Sequence, residues 1–291
     1  MNTQYYSLPA ALLLAFLPPL QTVLAQSTAP TAAEVIERVK KNLTCDWSEE
    51  TVDTFKSGSP DSPVTGIVTT FTASMDVLRG AVAAGANLIF THEPTYYNHL
   101  DLQDEIGDDP VLKAKLDYIR ENNLIIFRFH DHWHRTRPDG ILEGMISQLE
   151  WKPWLVQGES NVFRFRRQSL EDFCRDLSAR YPDAVPRIVG NPAMTFTALG
   201  LTPGAYGYQE HVRMLQRDDV EVLLIGEARE WETVEYVRDA VQQGKNKALI
   251  MLSHVPSEEG GMEYLAHWLK NIVPEVPVLF IPAGNAFWTI K

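Results

Sequence analysis

Positive charge is scarce in this 291-residue chain: 26 lysines and arginines stand against 38 aspartates and glutamates, a formal net charge of −12. Such a chain repels phosphate backbones and anionic bilayers, which excludes nucleic acid as the default partner. Long apolar runs are missing as well. The stretch from Ala10 to Leu17 is bounded by Pro9, Pro18 and Pro19 and is far shorter than the roughly 20 residues of a spanning helix. Cysteine is limited to Cys45 and Cys174, which allows one bridge in an oxidising compartment or two buried thiols. No internal repeat is visible, and the only low-complexity tract is the Ser/Thr/Ala/Pro stretch over residues 26–33.

What is present is an ordinary globular balance, 45% hydrophobic and 22% charged, enough to bury one large core or two smaller ones. Residues 1–25 have the form of a secretory signal: a short apolar segment, then Val23-Leu24-Ala25 before Gln26, with no following cysteine to carry a lipid. The expectation is an exported protein, periplasmic or secreted, cleaved near Ala25 and without a stable membrane anchor.

Beyond the leader at 26–33, apolar runs of strand length alternate with helical patterns. Val64 to Phe71, Asn87 to Phe90, Leu124 to Phe129, Ala193 to Leu199, Val220 to Ile225 and Ala248 to Leu252 read as strands. Helices are expected from Thr31 to about Leu43 and near 74–84, 110–122, 170–181 and 230–243. The rhythm predicts an α/β fold of two halves with largely parallel sheets flanked by helices. The halves are expected at 34–154 and 155–247, with a segment 248–291 returning side chains to the first half.

Histidines concentrate at the carboxyl ends of the expected strands, where α/β sheets bind ligands. His92 and Glu93 follow one strand, the block His130-Asp131-His132-Trp133-His134 follows another, and His254 with Glu258 follows a third. If the chain stays extended through residue 134, alternation puts His130, His132 and His134 on one side, a possible grip for an ion. The bland alternative is a solvated aromatic loop. His254 and Glu258, four apart at a helix start marked by Pro256 and Ser257, would share a helix face, although Glu258 would also serve merely to complement a helix dipole.

These blocks, Thr91-His92-Glu93-Pro94, His130 to His134, Ile225-Gly226-Glu227 and His254-Val255-Pro256-Ser257-Glu258, resemble in order and spacing the Nif-three-like dinuclear metal family, also labelled GTP cyclohydrolase type 2 homologues. Its motifs read Thr-His-His-Pro, His-Thr-Asn-Leu-Asp, Gly-Glu and Gly-His-Tyr-Glu-Ser-Glu. The resemblance covers roughly residues 30 to 291 and implies a hexameric ring. It also implies two divalent transition-metal ions per chain, Zn, Mn or Fe, held by His92, Glu93, His134, His254 and Glu258. Two positions depart in opposite senses, a histidine having become Glu93 and an aspartate His134, so three imidazoles and two carboxylates remain to offset two cations. His130 is the candidate for proton transfer or for supporting a ligand, and Glu227 for lining the cavity or capping a helix. Arg128, Arg135 and Arg137 would serve as an anion clamp or as exposed arginines. Two functions follow from the resemblance: a metal-dependent hydrolase acting on a small anionic or phosphoester substrate, or a non-catalytic metal-binding or partner-binding protein.

Overall fold

Thr31 starts the first helix with a reciprocal cap: its hydroxyl accepts from the Glu34 N–H at 3.2 Å, and the Glu34 carboxylate accepts from the Thr31 N–H at 2.8 Å. The computed structural model describes residues 1–2, 29–288 and 290. The apolar run and cleavage site of the expected secretory leader lie outside those residues. Helix α1 (Ala32–Asn42) is followed by β1 (Phe55–Ser57), β2 (Ile67–Thr70), α2 (Met75–Ala83), β3 (Leu88–Thr91), α3 (Pro110–Glu121), β4 (Ile125–Arg128), α4 (Asp131–Arg135) and α5 (Gly140–Leu149). The second half holds β5 (Val162–Ser169), α6 (Leu170–Arg180), β6 (Arg187–Val189), β7 (Thr195–Thr202), α7 (Tyr208–Gln216), β8 (Val222–Ile225), α8 (Glu235–Gln242) and β9 (Ala248–Met251). The chain closes with α9 (His254–Ile272) and β10 (Val278–Phe280).

Among the described residues the strands form two five-stranded sheets, ordered β1-β4-β3-β2-β10 and β5-β7-β8-β9-β6. Their interiors are parallel, as the alternation of strands and helices demands, and β2, β3, β4, β8 and β9 are buried throughout, because helices cover both faces. Three of the four edge strands break that rule: β1, β5 and β6 pair antiparallel, while β10 pairs parallel with β2. The last segment serves both sheets, since β9 lies in the second and β10 pairs with β2 in the first. Among the described residues no helix is long and apolar enough to cross a membrane.

Helices α5 and α9 pack together between the halves. A Cβ on Gly144 would fall 2.4 Å from the Gly261 Cα, so only glycine lets these two backbones meet. Their apolar faces then serve both cores: Met145, Ile146 and Leu149 join the second sheet, and Met262, Leu265 and Leu269 join the first. This contact fixes the start of α9, and thus His254 and Glu258, against the end of the first sheet.

Two local expectations are corrected. Residues 130–134 are not extended but form one helical turn, so His132 does not share a side with His130 and His134. Asp53 causes this, accepting from the backbone N–H groups of His130, Asp131 and His132 at 2.7, 3.0 and 2.9 Å. The last helix starts at His254 itself, which places Pro256 in the first turn, where a missing N–H costs no helical bond.

Candidate metal centre

The carboxyl ends of both sheets meet at one place. His92 and Glu93 follow β3, His130 precedes α4 and His134 lies within it, Glu227 follows β8, and His254 opens α9 after β9. The ligand atoms of His92, His130 and His134 lie within 4.8 Å of one another, as do those of His92, Glu93 and Glu258. His92 belongs to both groups. The His254 Nε2 completes the cluster, 3.0 Å from Glu258 Oε2 and 3.5 Å from Glu93 Oε1. The structure thus brings together His92, Glu93, His130, His134, His254 and Glu258, and it turns His132 away.

The imidazoles share one orientation. His92 Nδ1 lies 3.3 Å from the Phe129 carbonyl, His130 Nδ1 3.0 Å from Asp131, His134 Nδ1 3.1 Å from Asp139 and His254 Nδ1 3.5 Å from Glu227. Each ring is therefore held from behind at Nδ1 and presents Nε2 to the centre, the arrangement that supports metal-ligating histidines. The Nε2 of His92 is buried and makes no hydrogen bond among the described residues: Glu258 Oε2 lies 3.3 Å away but outside hydrogen-bonding geometry. A buried nitrogen without a partner, surrounded by three more imidazoles and two carboxylates, suits a divalent cation, and this cluster could hold a metal ion.

Burial holds the His92 imidazole below its ordinary pKa, which favours the neutral, electron-donating form. Burial also acts to lower His254, but Glu227 and Glu258 outweigh it and push that ring up to about 10. At His134 burial again pulls down, and Asp139 raises the net value. Glu258 is almost fully buried, which alone would raise it, yet His92 and His254 hold it well below the usual carboxylate range. Glu258 and His254 thus favour their charged forms side by side.

Several supporting residues carried no motif. Asp53, beyond capping α4, receives the His132 Nδ1 at 2.7 Å, while His132 Nε2 accepts from the Ser48 N–H and its ring stacks on Trp47 at 3.8 Å. His132 is a buried strut rather than a ligand. Tyr206 stands edge-on to His134 at 6.2 Å, on a loop from the second half. In that loop Gly204 has φ +70°, and a Cβ there would overlap the Glu258 carboxylate. Arg128 is fully buried: its Nε donates to the His92 carbonyl, and its guanidinium lies 3.5 Å from Glu93 and 3.6 Å from Asp101. It is therefore a brace behind the ligands and not a clamp for a bound anion. Arg137 closes the last turn of α4 by donating to the carbonyls of His134, Arg135 and Thr136, and Arg135 is exposed. Both cysteines are free, Cys45 near the His132 carbonyl and Cys174 in the second core.

Comparison with known proteins agrees with this architecture. The family model Duf34/NIF3 (NGG1p interacting factor 3) matches residues 30–285. A protein of Chlamydia pneumoniae named GTP cyclohydrolase 1 type 2 homolog is 23% identical over 253 residues, spanning 79% of this chain and 88% of that protein. Among solved structures, a Bacillus cereus protein related to NIF3 superposes with a TM-score of 0.68 at 12% identity, covering 90% of this chain and 100% of that one. The Staphylococcus aureus hypothetical protein SA1388 does so with a TM-score of 0.67 at 16% identity, again covering 90% and 100%. At such identities the structural likeness speaks for the fold.

Proposed function

The chain belongs to the Duf34/NIF3 family, and from that premise we propose that it holds two divalent transition-metal ions, Zn, Mn or Fe, and hydrolyses a small anionic or phosphoester substrate. The observation that carries the proposal is His92: its unpartnered Nε2 is common to two groups of ligand atoms, one of imidazoles and one with both carboxylates. His92, Glu93, His134, His254 and Glu258 would hold the ions. When bound, such a pair supplies Lewis acidity and a water acidic enough to attack an ester at neutral pH.

The remaining groups have separate tasks. His130 faces the cluster with Nε2, 3.7 Å from Glu93, while its hydrogen bond keeps Asp131 ionised well below the usual range. That couple is placed to hold a proton at Nε2 and pass it to a departing oxygen. Tyr206 and Glu227 reach the opening from the second half and would contact the substrate. Export past a cleavage near Ala25 and assembly as a hexamer belong to the same proposal.

The test is hydrolysis of p-nitrophenyl phosphate and bis(p-nitrophenyl) phosphate by protein loaded with Zn, Mn or Fe. Turnover should disappear with chelator and in Glu258→Gln. Hydrolysis that survives both changes contradicts the proposal, and a fully loaded protein that turns over no anionic ester would leave it a metal-binding protein without this chemistry.

A further inference from the structure

The second half carries a cavity of about 550 Å³ that none of the metal-centre residues lines. Its walls are aromatic. Phe165 lies 5.0 Å from Trp151, 5.8 Å from Phe173 and 5.9 Å from Trp154, centroid to centroid, and Trp154 stays 39% exposed at the mouth. A partly exposed tryptophan beside buried and half-buried rings offers apolar contact area to a ligand.

The rim is cationic in a chain that is otherwise strongly acidic. Edge strand β5 pairs Arg164 with Ala198 and Gln168 with Phe196, so residues 165–167 bulge opposite the single Thr197. The bulge carries Phe165 into the cavity wall and Arg166 and Arg167 onto its lip. Among the described residues neither arginine pairs with a carboxylate, and Arg167 donates to the Thr195 hydroxyl at 3.2 Å. Arg180 also lines the cavity and lies 3.8 Å from Glu150, and the exposed Asp176 is the other acid there.

We propose that this cavity binds a planar aromatic anion: a ring inserted against Trp154 and Phe165, with its carboxylate or phosphate on Arg166 and Arg167. The volume falls within the few hundred Å³ common for small-molecule sites. Guanidinium groups recognise planar oxyanions through paired hydrogen bonds. The rings supply the second half of the recognition, so neither a bare anion nor a neutral arene should suffice.

The test is equilibrium dialysis of the full-length protein against 2-naphthoate, neutral 2-naphthalenemethanol and inorganic phosphate. Naphthoate should bind saturably at one site and more tightly than either of the others by about tenfold. Trp154→Ala and the double variant Arg166→Ala with Arg167→Ala should each weaken it about tenfold while metal content and melting temperature stay unchanged. Equal binding of the neutral arene or of phosphate, the absence of saturable binding, or indifference to these substitutions overturns the proposal.

Discussion

The guanidinium of Arg128, without solvent exposure, lies 3.5 Å from the carboxylate of Glu93 and donates to the carbonyl of His92 from the same side. The residue that departs from the family's Thr-His-His-Pro pattern is thus backed by a fixed cation, and the two neighbouring candidate ligands are braced together. In metal-free protein, Arg128→Met should destabilise the fold by about 3–5 kcal/mol, because it leaves buried acceptors unpaired. Adding Glu93→Gln should recover part of that loss. Urea denaturation of the two variants checks this, and an Arg128→Met protein as stable as wild type would contradict it.

Ser253 has φ +87° and ψ 155°, a conformation that glycine adopts and other residues resist. It stands where the family motif Gly-His-Tyr-Glu-Ser-Glu has its glycine, immediately before His254. Ser253→Gly should relieve about 1–3 kcal/mol of strain against a loss of up to about 1 kcal/mol in chain entropy. The expected outcome is a higher urea midpoint at unchanged slope, equivalent to roughly 1 kcal/mol of added stability. A lower midpoint would mean that the serine side chain contributes more than its backbone costs.

The sequence revealed the parts of this molecule that rest on local signals. Fully buried strands such as Leu88–Thr91 and Ala248–Met251 stand out as apolar runs, and Thr31 with Glu34 announces a helix. Edge strands were not legible: Val162–Ser169 reads as Val-Phe-Arg-Phe-Arg-Arg-Gln-Ser and exposes its arginines, while Val278–Phe280 has only three residues and acquires its role by pairing with β2. The histidine block turns helical rather than extended because of its capping carboxylate, Asp53, which lies 77 residues before His130. Spacing within the block cannot register a partner so distant. The same holds for Arg128, whose cationic side chain gives no sign in the sequence that it is fully buried.

His211 provides a pH dependence of its own, outside the metal-binding groups. Its ring is buried, with Nδ1 2.9 Å from the Thr233 hydroxyl, and burial lowers its pKa to about 4. Between the ordinary value of 6.5 and about 4 the unfolded chain takes up a proton that the folded chain refuses, so stability falls as pH falls through this window. At about 1.4 kcal/mol per pKa unit, the full effect is roughly 3 kcal/mol. His211→Asn should flatten that part of the profile, measured by urea midpoints at pH 7 and pH 4. An unchanged slope in the variant would contradict the assignment.

Glu93 and His134 are proposed to have exchanged character within one centre. Glu93→His alone removes negative charge and should weaken the second ion, whereas His134→Asp alone should shift preference toward harder ions such as Mn. Together they restore the family's usual set and should bind two ions better than the single effects imply, by about 0.5–3 kcal/mol of coupling. Metal titration of all four proteins resolves this. Strict additivity would mean that the two side chains do not serve a common site.

The most direct measurement is the metal content of the protein itself, determined by elemental analysis after purification without added metal and again after Zn or Mn is supplied. Two cations are proposed for the three imidazoles and two carboxylates of His92, Glu93, His134, His254 and Glu258, which include the unpartnered Nε2 of His92. Close to two transition-metal equivalents per chain are expected, falling in His254→Ala and Glu258→Ala. A single equivalent that does not increase when Zn or Mn is added would contradict this expectation.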